Sequence, residues 1–173
     1  LSINVLCSNG KTSDADKADF EKAEKEIASM EIPPFTECKC LKEQYILPVR
    51  SVGVQGDFRT YRFPSVLSFT PLENGFYKHP EDWNRVEQAS SYITNNAQYI
   101  NRALLRLYQK PGITLSLQEG YCDKRRLDQL READNIVLTE LHKSGWYNKI
   151  FQHLTIDLPY ASSADRVTFV LRP

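Results

Sequence analysis

In the stretch LPVRSVGVQGDFRTYRF, residues 47 to 63, the triplet Gln55-Gly56-Asp57 separates two apolar runs, and Arg50, Arg59 and Arg62 stand close to it. Gly56 can take a positive φ that side chains resist, so the chain can turn tightly there. Asp57 can accept from neighbouring amides or from a ligand hydroxyl. Arg59 offers a planar fork of donors that suits a carbonyl or a phosphate. A plain hairpin with arginines as solubilising charges would be written in the same letters, and the residues by themselves leave both readings open. Arg50 and Arg62 read as solvent-facing charges at a sheet edge.

Other chemistry-bearing residues are less coherent. NVLCSNGKTS places Gly10-Lys11-Thr12 after an apolar run, but a phosphate loop needs a glycine where this chain has Val5. SNGKTS also imitates the Ser-Gly-Gly-x-Asp-Ser loop of ATP pyrophosphatases, with Asn9 and Thr12 in place of the second glycine and the aspartate. A solvated turn before a helix is the preferred reading. Cysteines stand at 7, 38, 40 and 122 with irregular spacing and read as reduced thiols. Cys38 and Cys40 are too close for a zinc knuckle and lack further ligands, so no metal is expected. His79, His142 and His153 are scattered, and His142 reads as solvent-facing. A thiol enzyme built on Cys7 or Cys122 finds no histidine arranged for it.

What must position the turn follows from periodicity. The segment SDADKADFEKAEKEIASM sets Phe20, Ala23, Ile27 and Met30 at helical steps behind Ser13 as N-cap, with Pro33 and Pro34 as the stop. Residues 44 to 54 and 58 to 70 read as two strands with a tight connection, and Pro48 and Pro64 predict edges or bulges. After the loop PLENGFYKHP a helix begins near Pro80, with Glu81 and Asp82 at its positive end and Trp83, Val86, Ser90 and Ile93 on one face. YINRALLRLY and ITLSLQ read as strands. A long helix runs from Asp123 to about Ser144, with Leu127, Leu130, Val137, Leu138 and Leu141 inward and Gly145 at its end. IFQHLTIDL and DRVTFVLR close the order as two more strands. The expected fold is α+β, a two-layer α/β sandwich with a mainly antiparallel sheet and helices packed on one face. Lys plus Arg (22) balances Asp plus Glu (22), so no overall field favours nucleic acid or an anionic membrane, and any anion site is local. No run approaches the ~20 apolar residues of a membrane span, and no basic, apolar leader opens the sequence, so a cytoplasmic location is expected.

The segment LPVRSVGVQGDFRTY resembles the Pro-[Val/Ile]-[Arg/Lys]-[Ser/Thr]-Val-Gly-Val-Gln-Gly-Asp-x-Arg-[Thr/Ser]-Tyr motif that opens the C-terminal dimerisation region of glutamine-hydrolysing GMP synthases. PEDW at Pro80 to Trp83 is similar to the start of that family's next helix, and INRAL at Ile100 to Leu104 to its Val-Asn-Arg-Val-Val strand. Leu127 to Gln152 resembles the Leu-Arg-Gln-Ala-Asp helix and Ser-Gly-Tyr-x-x-Lys-Ile-x-Gln ending of the long, eukaryotic-like form, and VLRP the start of its Arg-Pro-Val strand. QKPGIT at Gln109 to Thr114 imitates the closing Lys-Pro-Pro motif without continuing it. The likeness covers residues 44 to 173, with 1 to 43 as an N-terminal helical extension or linker.

The resemblance implies a ligase of purine biosynthesis that adenylates XMP with ATP and displaces AMP with ammonia to give GMP. It implies that this segment binds XMP through Asp57, Arg59 and Gln152, with Gln55 and Gly56 setting the loop, and that it pairs as a homodimer. ATP and Mg would act in a pyrophosphatase domain outside these residues, so no catalytic residue or cofactor is expected here. The remaining GMP synthase domains are the other expected partners. A pairing module without ligand binding is the alternative.

Overall fold

The computed structural model describes residues 3–5, 7–8, 11–12, 14–36, 40–55, 58–163 and 167–172, with backbone only at 3–5, 7–8, 11–12, 54–55, 58 and 172. Contacts divide the chain into two compact units, residues 1–6 with 11–113 and residues 7–10 with 114–173.

In the first unit, β1 (Ile3–Val5) runs antiparallel to residues 49–51; of the short strands that follow it in the chain, β2 (Cys7–Ser8) falls to the second unit and β3 (Lys11–Thr12) to the first. Spacing at three and four residues gives α1 (Asp14–Ser29), which buries Ala23 and Ile27 and carries Asp14 and Asp16 in its first turn, where the helix dipole favours them. Ser13, the expected cap, lies outside the described residues. The helix ends at Ser29, ahead of the expected proline stop; Pro33 and Pro34 instead open a single turn, α2 (Pro33–Thr36), where a missing N–H costs nothing.

The alternating run then forms β4 (Glu43–Ile46), β5 (Val49–Gln55) and β6 (Phe58–Ser68). β4 and β5 are one extended path beside β6, broken at Leu47 and Pro48. Ile46 pairs with Ser65 and Ser51 with Arg62, so the register slips across the break. On the other side of β6, the register with β7 (Ile100–Leu105) shifts between Phe63 and Pro64. Both prolines therefore sit at irregularities, as a residue without a ladder donor must. The β6–β7 pair is parallel, which periodicity did not disclose. Its crossover contains a 3-10 turn at Glu73–Gly75 and α3 (Trp83–Asn96), capped by Asp82 through the Asn84 amide.

The remaining pairings of this sheet are antiparallel. One core joins the helices to it: Ala23 and Ile27 of α1, Phe35 of α2, and Ala89 and Ile93 of α3 pack with Ile46, Phe63, Leu67 and Ile100. The expected α+β layering is the observed one. Trp83, expected inward, is exposed, and Ala89 takes its place on the buried face of α3.

The second unit contains β8 (Ser116–Leu117), α4 (Lys124–Lys143), a 3-10 turn at Tyr147–Lys149, β9 (Leu154–Leu158), β10 (Tyr160–Ala161) and β11 (Thr168–Arg172). Of the alternating ITLSLQ, only Ser116 and Leu117 pair, with β10. Asp123 caps α4 through the Arg126 amide at 2.8 Å, and Gly145 at φ 71° ends it as expected. The helix lies against β9, which pairs with β11. Leu127, expected inward, is exposed, while Leu130, Val137, Leu138 and Leu141 are half-buried.

Cys122 is a free, exposed thiol, but Cys40 is disulfide-bonded, which corrects the expectation of reduced thiols at that position. Cys38 lies outside the described residues. Among the described residues no group of three or more His, Cys, Asp or Glu side chains could hold a metal ion, and no helix is long and apolar enough to cross a membrane.

Candidate functional site

The turn singled out in the sequence is carried by the distal arm of the β5–β6 hairpin. Gly53 pairs with Thr60, Val54 with Arg59 and Gln55 with Phe58, so the register leaves Gly56 and Asp57 as the connection. Those two residues, and the side chain of Gln55, lie outside the described residues. Arg59 is described: its side chain is exposed, and among the described residues none takes its guanidinium. An exposed cation beside the turn, with no partner among the described residues, suits an anionic group.

The two flanking arginines behave differently, and both correct the reading of them as edge charges. Arg50 is an internal clamp between β5 and α1. Its guanidinium lies 2.8 Å from Asp16 and 3.1 Å from Asp19, donates to the Tyr61 carbonyl at 3.0 Å, and covers the Phe63 ring at 4.7 Å. Arg62 is half-buried and donates to the Ala97 carbonyl at 3.3 Å. The reason is tertiary. The acids on the first turns of α1 meet β5 only once the helix has docked, and no spacing within residues 47 to 63 announces them. Arg50→Ala should cost about 2 kcal/mol, between the values of exposed and fully buried pairs. Urea unfolding in low and high salt checks this; a loss under about 0.5 kcal/mol would return Arg50 to the class of surface charges.

A polar cluster behind the hairpin was not foreseen. Asn101 on β7 donates from Nδ2 to the Ser51 carbonyl at 2.7 Å and lies 3.4 Å from both the carbonyl oxygen and Oγ1 of Thr60. The wholly buried Ser51 hydroxyl donates to Asn101 Oδ1. Arg102, the next residue, donates to the Val52 carbonyl at 2.7 Å. The available signal was the pair of polar residues inside the apolar strand INRALL, since a buried polar side chain must find partners.

Gln152 belongs to the second unit, in the segment between the Tyr147–Lys149 turn and β9. It is exposed, and among the described residues no backbone group takes its side chain. The following residue is anchored. His153 Nε2 lies 3.1 Å from Thr155 Oγ1, whose hydroxyl donates to Asp134 on α4 at 2.8 Å. The single threonine proton is thereby used, so His153 presents an Nε2–H to that oxygen. Preceding Gln152, the Phe151 side chain is fully exposed, and Trp146 and Tyr147 are about half exposed.

The second unit also holds a buried ion pair. Arg126 Nη2 stands 2.8 Å from Asp157 Oδ1, with both side chains less than a tenth exposed. Burial pushes the Asp157 carboxyl above its ordinary value, and the Arg126 charge only partly offsets this.

No family model matches the chain. A probable glutamine-hydrolysing GMP synthase of Leptospira interrogans is 35% identical over 130 residues, 74% of this chain and 20% of that protein. Glutamine-hydrolysing GMP synthases of Prochlorococcus marinus and Thermosynechococcus vestitus are 41% and 40% identical over 75 residues, 40% of this chain and 14% of each protein. The chain thus spans about a fifth of the length of the Leptospira relative. Over some three quarters of its own length, it is a homologue of one region of the glutamine-hydrolysing GMP synthases.

Proposed function

We propose that this chain is the XMP-binding and subunit-pairing region of a glutamine-hydrolysing GMP synthase, the enzyme class that aminates XMP to GMP. The observation that carries the reading is the exposed Arg59 guanidinium beside the Gln55-Gly56-Asp57 turn, which no described residue takes, in a chain homologous to such enzymes. Arg59 would take an anionic or carbonyl oxygen of the nucleotide, Asp57 a hydroxyl or ring N–H, and Gln152 a further hydrogen bond. Gln55 and Gly56 would shape the loop. The region would bind and orient XMP while adenylation, with its ATP and Mg, takes place in another domain, so these residues include no catalytic group. Subunit pairing as a homodimer and a cytoplasmic setting belong to the same reading.

Titration calorimetry with XMP tests it. Arg59→Ala, Asp57→Ala and Gln152→Ala should each weaken binding by about ten-fold or more, the scale of a lost charge-assisted hydrogen bond. Equal affinities in all variants would remove these residues from the site. The alternative, a pairing module without a ligand, draws on the exposed Phe151, Trp146 and Tyr147. It predicts a dimer by light scattering and no XMP effect on the unfolding temperature.

A further inference from the structure

Asn101 stands at the second position of β7, yet its amide is spent on the neighbouring hairpin. Ser51 belongs to β5 and Thr60 to β6, so one side chain reaches both arms of the hairpin that carries the turn. The amide can point only one way: Nδ2 faces carbonyl oxygens, which need a donor, and Oδ1 receives the Ser51 hydroxyl proton. The space it occupies is reserved for it. A Cβ on Gly53 would stand 3.0 Å from Asn101 Nδ2 and 2.7 Å from Thr60 Oγ1, closer than side chains approach, so glycine is required where the amide crosses. β7 is itself fixed, by parallel pairing with β6 and by the wholly buried Ile100 in the core. The distal arm, by contrast, continues past these bonds with only the Val54–Arg59 and Gln55–Phe58 pairs ahead of the turn.

We infer that Asn101 is a positioning residue for the nucleotide-binding turn: it references the β5–β6 arm to the core and so fixes where Arg59, near the start of β6, is presented. This rests on the reading of the turn as an XMP site. Asn101 touches no ligand; its effect on binding passes through the arm. Asn101→Ala removes both carbonyl contacts, and Asn101→Asp keeps the shape while setting an acceptor against acceptors.

The experiment combines amide hydrogen exchange and XMP titration on the 173-residue chain and these variants. Amides from Val52 to Arg59 should exchange about ten-fold faster, with Glu43 to Ile46 unchanged, because opening is confined to the arm. XMP affinity of the folded protein should fall about ten-fold. A merely structural role would accelerate exchange evenly across the sheet and leave affinity unchanged, and either result overturns the inference. If the parent chain binds no XMP, the functional reading fails separately, and the pattern of exchange alone decides whether Asn101 positions the arm. Should the Asn101 variants not fold, Gly53→Ala, which crowds the amide without removing it, carries the same comparison with the same opposing outcomes.

Discussion

Asp157→Ala is expected to cost the second unit about 3–5 kcal/mol, the scale observed when one member of a buried ion pair is removed. The loss is not the strength of the contact; it is the penalty on Arg126, left charged and buried. Two features make that penalty large. Arg126 lies in the first turn of α4, where the helix dipole disfavours a cation, and Lys124 and Arg125 add charge of the same sign. Gly120 packs against the guanidinium, with a hypothetical Cβ 3.1 Å from Nη1, so the arginine has little room to turn out to water. Urea unfolding of Asp157→Ala should show the loss, and Arg126→Met with Asp157→Leu should recover most of it. A double variant as unstable as the single one would mean that the pair itself, and not the orphaned charge, holds the unit together.

The pH dependence has a definite sign. Because the folded carboxyl binds its proton more tightly than the ordinary value of 3.8, the folded state carries more protons than the unfolded chain between 3.8 and the raised value. Stability contributed by this group is therefore complete below 3.8 and declines as pH rises through that window, becoming constant above it. Asp157→Asn should abolish this slope in acid unfolding titrations, and an unaltered slope would assign it elsewhere.

These residues also show what a sequence discloses. The three long helices and the Gly145 stop were legible because each depends on neighbours within a turn, although Asp82 and Asp123, read as lying within their helices, prove to be the caps that precede them. Pro48 and Pro64 announced the irregular pairing because a missing donor is a property of the residue itself. The strand pairing on either side of Gly56 and Asp57 was legible from the two apolar runs that flank them. Arg50 and Arg62 were not, because their acceptors lie on α1 and beyond α3, and an arginine spacing carries no record of what docks against it. Trp83 and Leu127 follow the same logic: helical periodicity selects a face about 100° wide, and packing decides which residue at its margin is covered. Asn101 escaped notice because its partners are backbone carbonyls, and every residue has one.

The apolar counterpart of the Asp157 prediction is Phe63→Ala in the first unit, expected to cost about 3–5 kcal/mol. Phe63 is wholly buried at the point where β6 changes register with β7, and three elements meet on its ring. Phe20 of α1 abuts it edge-on at 5.4 Å, Arg50 of β5 covers a face at 4.7 Å, and Ile100 of β7 is its sheet partner. Truncation loses the transfer energy and leaves a cavity that cannot collapse easily, since α1 is already pinned to β5 by the Arg50 clamp and the backbone is fixed by the Phe63 amide bond to the Tyr99 carbonyl at 2.9 Å. Phe63→Leu, which refills most of the volume, should cost only about 1.5 kcal/mol. Chemical denaturation of both variants and of Arg50→Ala with Phe63→Leu provides the check, because the shared ring makes the double loss smaller than the sum of the single ones. A Phe63→Ala loss below about 1 kcal/mol would contradict a core centred on this ring, whereas strict additivity with Arg50 would show that the guanidinium is held by its two aspartates alone.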